Sequence, residues 1–185
     1  MKMIGLRPPR TTHGRHSEQA AFDALFRECV ADVHAYTLSL LGDRAAAEDV
    51  TALAFERLFR ARGRMDSRRG TPRALLFTIA RNAALDELRR RRRQPLAPAA
   101  AADLAAAIPV AAGEAEEVER RESVREALAA LPLRDREVLL LKFHGALSNA
   151  ELAQALGISE SNAGTRLSRA LARLRESPLG VREVA

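Results

Sequence analysis

Residues 147–175 read LSNAELAQALGISESNAGTRLSRALARLR, a pattern that encodes two short helices joined by a tight turn. Ser148 is followed three residues later by Glu151, the spacing of a capping box, which predicts where the first helix begins. Gly157 can adopt the left-handed conformation that ends a helix, and Ser159 can cap the helix after it. The stretch is therefore predicted to form a helix-turn-helix.

The second helix of this stretch has two different faces. Ala163, Leu167, Ala170 and Leu174 recur at helical spacing and form an apolar stripe that is expected to be buried. The opposite side carries Asn162, Thr165, Arg166, Arg169 and Arg173. Such a helix can enter a major groove, read base edges and contact phosphates. The alternative is an ordinary helical hairpin with a solvated arginine face, and the DNA interpretation is the favoured one.

The composition limits the class of protein. The 185 residues are 47% hydrophobic and 4% aromatic, and alanine and leucine dominate, which favours an all-helical protein. The net charge is +6 and the cations are almost all arginines, so an anionic polymer is the expected partner. The single cysteine, Cys29, excludes an internal disulfide and a multi-cysteine zinc site, and it is interpreted as a core residue. No apolar run is long enough to span a membrane, and the cytoplasm is the expected location.

The N-terminal part of the chain predicts a basic arm and two helices. Residues 1–16 contain cations but no hydrophobic core of a signal peptide, and they are predicted to be a disordered arm. Apolar residues recur at helical spacing over 17–41, and Asp43 can cap the next helix. Glu48 and Asp49 are expected in the first turn of that second helix. They either interact with the helix dipole or form an acidic surface for a basic partner, and the residues alone leave both open.

Arginines dominate the next segment. Residues 62–70, RGRMDSRRG, are predicted to be a polar loop, and the Thr-Pro pair that follows predicts a third helix over 71–93. Asn82 and Asp86 lie beside its apolar face, so we expect them to bond each other or a neighbouring helix end. The helix ends in five successive arginines, residues 89–93. They are either solvated or in contact with a nucleic-acid backbone, and the DNA-reading C-terminal half favours the second interpretation.

Composition changes sharply after this helix, where alanine and proline predict a linker over residues 94–121. The fold is therefore expected to be all-α, with two small helical domains over residues 17–93 and 122–176 and a tail over 177–185. The C-terminal domain would hold two helices, separated at Pro132, before the helix-turn-helix. Fully stretched at about 3.3 Å per residue, residues 94–117 of this linker reach roughly 80 Å, so the two domains could contact separate sites on one DNA.

Four segments together resemble a known family. They are AED at 47–49, RALLFTIARNAALDELRRRRR at 73–93, LPLRDREVLLLKF at 131–143, and the helix-turn-helix. Their order resembles that of the extracytoplasmic-function (ECF) sigma factors of bacterial RNA polymerase. The resemblance covers most of the chain, with residues 22–93 similar to region 2 and residues 122–175 similar to region 4.

The resemblance implies partners and roles for individual residues. Region 2 would dock on the clamp helices of the polymerase β′ subunit through Glu48 and Asp49, and region 4 would bind the β flap. The captured minus-ten strand would meet Arg62, Arg64, Arg68, Arg69, Arg81, Arg89, Arg90 and Arg91. The minus-35 duplex of the promoter DNA would meet Ser161, Asn162, Thr165, Arg166, Arg169 and Arg173. An anti-sigma factor is a further possible partner; no cofactor, metal or membrane insertion is implied.

The chain departs from the family pattern at four positions. Ala52 and Leu53 replace a glutamine and an acidic residue, and Leu75 replaces a tryptophan. Gly164 replaces a lysine of the recognition helix and weakens that helix by about 1 kcal/mol relative to alanine. The promoter sequence therefore does not transfer from the family.

Two other functions fit parts of the sequence. A promoter-binding regulator that acts without core polymerase would share the helix-turn-helix but leave the Glu48 and Asp49 surface unused. A sigma-mimicking module would bind an anti-sigma factor without starting transcription. An enzyme is not expected, because the four histidines are scattered and no nucleophile, metal-ligand or phosphate-binding glycine motif occurs.

Overall fold

The computed structural model describes residues 12–61, 70–93 and 115–177, and these residues form seven helices and no strand. The prediction of an all-α fold is confirmed. The helices are α1 (Thr12–Leu41), α2 (Arg44–Ala61), α3 (Pro72–Arg93), α4 (Ala115–Ala130), α5 (Leu133–Phe143), α6 (Asn149–Leu156) and α7 (Glu160–Glu176). None of the described helices is long and apolar enough to cross a membrane.

Local capping explains where the early helices begin. Gly42 ends α1 in the left-handed conformation, with φ of 66°. The carboxylate of Asp43 then accepts a hydrogen bond from the backbone N–H of Ala46 at 2.9 Å, and this bond holds the pKa of Asp43 below its usual value. The hydroxyl of Thr71 accepts from the N–H of Ala74 at 3.1 Å in the same way at the start of α3. Both predicted caps are present.

Two helices begin earlier than the sequence pattern suggested. Helix α1 starts at Thr12, inside the segment 1–16 expected to be a disordered arm, and α4 starts at Ala115, inside the expected linker. The α4 sequence begins AEEVERRES, which is rich in alanine, glutamate and arginine. These residues have high intrinsic helix propensity, so a helix can form here without the apolar periodicity that marked the other helices.

Helices α1, α2 and α3 pack around one core. Tyr36, Leu58, Leu76 and Phe77 are fully or almost fully buried in it, and the rings of Tyr36 and Phe77 meet edge to face with centroids 5.7 Å apart. The core holds few polar groups. The hydroxyls of Thr37 in α1 and Thr51 in α2 lie 3.0 Å apart and form a hydrogen bond between the two helices.

The C-terminal helices form the second part of the core. Val138 and Leu141 of α5, Leu152 of α6, and Ala163 and Ala170 of α7 are fully buried against one another. The two alanines let α7 approach α5 and α6 closely, because a larger side chain on this stripe would separate the helices. This packing fixes the orientation of the opposite face of α7.

The two parts of the core are continuous, since α5 packs on α1 and α6 packs on α3. Gly145, in the loop between α5 and α6, lies at this contact. A Cβ atom on Gly145 would stand 2.4 Å from the carbonyl oxygen of Leu141 and 3.3 Å from the ring of Phe77. The contact with the Leu141 carbonyl excludes any side chain, so only glycine fits against the end of α5 at this point beside the ring of Phe77.

Candidate nucleic-acid interface

The predicted helix-turn-helix is present, and each of its caps is made as expected. The hydroxyl of Ser148 accepts from the N–H of Glu151 at 3.2 Å, and the Glu151 carboxylate accepts from the N–H of Ser148 at 2.9 Å. Gly157 ends α6 with φ of 67°, and the next N–H, of Ile158, reaches back to the carbonyl of Ala153 at 3.0 Å. The turn is thereby fixed by backbone and side-chain hydrogen bonds.

Helix α7 presents the face that the sequence assigned to DNA. The hydroxyl of Ser159 accepts from the N–H of Asn162 at 3.3 Å and starts the helix. Burial of the alanine stripe turns the other side outward, where Arg166 is partly exposed. The exposed members of the predicted minus-35 set are Ser161, Asn162, Thr165, Arg169 and Arg173. The structure therefore brings all six of these residues together on one accessible surface.

A buried carboxylate, which the sequence reading missed, lies beside this surface. Asp135, in the first turn of α5, has a side chain only 4% exposed and accepts a hydrogen bond from the guanidinium of Arg173. Asp135 and Arg134 join four residues of α7 around a cavity of about 180 Å³. One of the predicted DNA-contacting cations is therefore already paired within the protein. Nothing in the local pattern of α5 marks Asp135 as facing α7, because that contact spans 38 residues.

The arginine-rich end of α3 is also largely paired. Glu87 accepts from Arg90 and Arg91 at distances of 2.7 and 2.8 Å, and these cations lower the pKa of Glu87 to about 2. Arg89 bonds Asp86 at 2.9 Å. The expectation that Asn82 and Asp86 bond each other or a helix end is wrong. Both side chains are exposed and bond neighbouring arginines of α3 instead, because their positions fall beyond the edge of the buried face.

The remaining arginines predicted at the minus-ten element have different positions. Arg62, Arg64, Arg68 and Arg69 lie outside the described residues. Arg81 lies in the middle of α3, and its side chain is only 18% exposed. Its Nε donates to the carboxylate of Glu137 on α5 at 2.5 Å. As the chain is folded here, the Arg81 guanidinium faces the C-terminal helices and not solvent.

The acidic residues of α2 form an exposed surface. The expectation that Glu48 and Asp49 occupy the first turn is wrong, because α2 begins at Arg44 and Asp43 supplies its cap. Glu48 instead pairs with Arg44 at 3.0 Å, and both side chains are more than half exposed. The capping role is thus filled by another residue, which favours the interpretation of Glu48 and Asp49 as a surface for a partner.

An apolar groove on the C-terminal helices is a second feature that the sequence reading missed. It has a volume of about 470 Å³, and the ring of Phe143 at its edge is 66% exposed. Phe143 falls on the apolar spacing of α5, but α5 ends at this residue and its ring is left exposed. The other lining residues are Val124, Leu128, Leu139, Leu140, His144, Leu171, Leu174 and Arg175. An exposed apolar groove of this kind is typical of a binding surface for a partner helix.

Two features of the described residues concern metal binding and nucleophilic chemistry. Within the described ranges no three His, Cys, Asp or Glu side chains are grouped so that they could hold a metal ion. Cys29 is a free, fully buried thiol, and burial raises its pKa, so it is not an activated nucleophile. It lies in the core, as its position in an apolar helix pattern predicted.

Comparison with known families divides the chain into two parts, one matching the N-terminal helices and the other the C-terminal helices. The family model of Sigma-70 region 2 matches residues 25–94, and the model of Sigma-70, region 4 matches residues 121–174. The first match covers α2, α3 and the C-terminal part of α1, and the second covers the four later helices except the start of α4 and the last two residues of α7.

Individual proteins with similar sequences or structures agree with these matches. The chain is 34% identical over 175 residues to the probable RNA polymerase sigma factor RfaY of Xanthomonas campestris, and the match covers 90% of this chain but 42% of that protein. It is 30% identical over 167 residues to the ECF RNA polymerase sigma factor SigL of Mycobacterium tuberculosis, covering 90% and 93% of the two chains. The solved structure of CnrH in complex with the cytosolic domain of CnrY is similar with a TM-score of 0.61 at 26% identity, over 85% of this chain and 87% of that one.

Proposed function

Because the chain belongs to the ECF sigma factors of bacterial RNA polymerase, we propose that it directs core polymerase to promoters by reading a minus-35 element and capturing the minus-ten strand. The observation that carries this proposal is the exposed polar and basic face of α7, held outward by buried Ala163 and Ala170. A protein of this kind needs no catalytic group of its own, since its binding energy selects the site where the polymerase acts.

Minus-35 recognition divides between two kinds of residue on α7. Asn162 and Thr165 are short and exposed near its N-terminus, where side chains can reach base edges in a major groove. Arg166 and Arg169 follow one turn later and supply contacts to phosphate or guanine. The N-terminus of α7 also favours an approaching phosphate through its free N–H groups.

Region 2 supplies the contacts to polymerase and to the melted strand. Glu48 and Asp49 form an acidic surface on α2 that suits a basic region of the β′ clamp helices. The arginines of α3 and of the preceding loop would attract the displaced strand without sequence preference. Holding that strand away from its complement makes promoter melting more favourable.

The apolar groove beside Phe143 is the surface proposed for the β flap, because it fits one apolar face of a short helix. An anti-sigma factor is proposed as a second partner of the chain. CnrH, whose fold is similar, was solved in complex with a cytosolic domain of CnrY. A partner that covered the groove or the acidic surface would block assembly with polymerase.

Run-off transcription with purified core polymerase and a promoter library tests the proposal. The native chain should start transcription from a subset of promoters, and Glu48→Lys should lower the yield at least tenfold. Glu56→Lys is the matched control, because Glu56 lies on the same helix and pairs with Arg60 as Glu48 pairs with Arg44. Equal loss from both variants, or no transcription by the native chain, would contradict the proposal.

The two other candidate functions, a regulator that acts alone and a sigma-mimicking module, predict different results in binding and transcription assays. A regulator that acts alone would bind promoter duplex but would not co-purify with core polymerase. A sigma-mimicking module would bind an anti-sigma factor and fail in transcription. The exposed Ala52, which stands where the family has a polar residue, is the one feature that favours this last alternative.

A further inference from the structure

A cleft of about 240 Å³ lies between α2 and α3 of region 2. Its lining residues are Asp49, Val50, Leu53 and Arg57 of α2, and Ala83, Asp86, Glu87 and Arg90 of α3. Three of these side chains are apolar and the other five are charged. The cleft therefore has an apolar floor with charged groups around it.

Leu53 is the apolar side chain of this cleft that a partner can reach. Val50 is 5% exposed and Ala83 is 4% exposed, whereas Leu53 is buried only in part against the core. A leucine left partly in water gains free energy when a second apolar surface covers it. Leu53 also stands where the family pattern has an acidic residue, so an apolar contact point replaces a charge at this position.

The charged residues of α2 divide into a paired set and an unpaired set. The paired residues form two ion pairs, of 3.0 and 2.6 Å, which are Arg44 with Glu48 and Glu56 with Arg60. Asp49 and Arg57 are exposed and have no ion-pair partner in the described part of the chain. They lie four residues before and four residues after Leu53, so the three side chains follow one face of α2 at intervals of about one turn. This face presents a carboxylate, an apolar side chain and a guanidinium in that order.

The charged residues that α3 contributes to the cleft are already paired within α3. Glu87 accepts from Arg90 at 2.7 Å, and its side chain is only 14% exposed. Asp86 accepts from Arg89 at 2.9 Å. The groups left to recognise a partner at this cleft are therefore those of α2.

We propose that Leu53 is the apolar anchor by which region 2 docks on core polymerase, seated against a polymerase helix that carries an apolar side chain between a cation and a carboxylate. The inference rests on the proposed docking of the Glu48 and Asp49 surface, with which the cleft is continuous through Asp49. The cation of the partner helix pairs with Asp49 and its carboxylate pairs with Arg57. Burial of Leu53 supplies free energy, and the two ion pairs at the rim fix the register. A helix that is basic along its whole length fits less well, because Arg57 repels a cation.

Competition binding tests the anchor with the complete chain and purified core polymerase. Unlabelled variants displace native chain that carries a fluorophore on its α-amino group, and anisotropy gives each dissociation constant. Leu53→Ala should bind about tenfold more weakly, the loss expected when one buried leucine side chain is truncated. Leu53→Glu should bind at least as weakly, although it introduces the acid of the family pattern. Ala52→Glu is the matched control, because it adds the same charge at the neighbouring exposed position and keeps Leu53, and it should not weaken binding.

A docking surface that is simply acidic predicts the opposite order. An added carboxylate at residue 53 would then strengthen binding to a basic partner, so Leu53→Glu that binds as tightly as the native chain overturns the anchor. Unchanged binding by Leu53→Ala overturns it as well. No binding of the labelled native chain to core polymerase counts instead against the proposed function itself.

Arg57 provides a second test that does not depend on the packing of Leu53. Arg57→Gln should bind about threefold more weakly, the size of effect typical of an ion pair at an exposed rim. Arg60→Gln is its matched control, because Arg60 is an exposed arginine of the same helix that already pairs with Glu56, and it should leave binding unchanged. Equal or tighter binding by Arg57→Gln contradicts the proposed order of charges. Far-ultraviolet circular dichroism checks that each variant is helical, and should the Leu53 variants fail to fold, the two arginine variants decide the proposal.

Discussion

Replacing Asp135 by asparagine should strengthen binding to minus-35 DNA, although it removes a native ion pair. Asp135 is almost completely buried, and its carboxylate holds the guanidinium of Arg173, which is itself half exposed at the edge of the α7 surface. While that pair is intact, Arg173 and Asp135 together present no net charge to a phosphate. Asparagine has nearly the same shape and can still accept a hydrogen bond, but it leaves the cation free to contact the DNA backbone.

The size of the effect follows from counterion release. One additional phosphate contact makes the slope of log K against log salt concentration steeper by about 0.9. If the variant and the native chain bind equally at 1 M salt, this slope corresponds to about eightfold tighter binding at 0.1 M salt. The folded state should lose about 1 kcal/mol, since the Arg173 end of the pair is half exposed to solvent and Asp135 also interacts with the N-terminus of α5.

Fluorescence anisotropy titrations with a duplex selected from a random library, at several salt concentrations, measure both affinity and slope. A double-mutant cycle with Arg173→Ala measures the contribution of the Asp135–Arg173 ion pair to DNA binding separately from that of the other residues of α7. Arg173→Ala should change the slope little in the native background and by about 0.9 in the Asp135→Asn background. Glu126→Gln serves as the charge-matched control. A slope that is unchanged or shallower in Asp135→Asn would refute the reasoning and indicate that Asp135 positions Arg173 for DNA.

Three further predictions concern other residues. Arg166→Ala should weaken minus-35 binding by about 1 to 3 kcal/mol and relax specificity, as measured by competition with mismatched duplexes. Ser148→Ala should lower the free energy of unfolding by about 1 kcal/mol in urea denaturation, because the N–H of Glu151 loses its cap. Because the pKa of Glu87 falls from 4.5 to about 2 in the folded state, its contribution to stability is complete above about pH 4.5 and is lost as the pH falls toward 2. Acid unfolding of Glu87→Gln should therefore show a weaker pH dependence in that range.

The sequence predicted those features that depend on neighbouring residues. The capping box at Ser148 and Glu151, the left-handed Gly157 and the alanine stripe of α7 all lie within one or two helical turns of their partners. Their physical causes are local hydrogen bonds and helical periodicity, both of which can be read directly from the order of residues. The helix-turn-helix and the identity of its exposed face were predicted for this reason.

The features that the sequence did not predict depend on contacts between distant segments. Arg81 meets Glu137 across 56 residues, and Arg173 meets Asp135 across 38. A carboxylate on an amphipathic helix looks the same in the sequence whether it faces solvent or another helix. Phe143 fits the apolar spacing of α5, and only the end of the packed layer leaves its ring exposed. The two ion pairs and the exposure of the Phe143 ring all depend on tertiary packing, which cannot be read from the spacing of residues in one helix.

The paired arginines change how binding to DNA must be understood for this chain. Arg81, Arg90 and Arg173 each have a carboxylate partner within the protein, so a phosphate has to replace an existing interaction. Replacing a carboxylate partner by a phosphate contributes less binding free energy than a phosphate contact made by an unpaired arginine. This reduced contribution is the same for every DNA sequence, because the phosphate backbone is the same. We therefore expect non-specific binding to be weak, although the net charge of the chain is +6. Under the proposed minus-35 role, discrimination between promoters would be left to side chains of α7 that reach base edges, since their contacts alone would differ from one sequence to another.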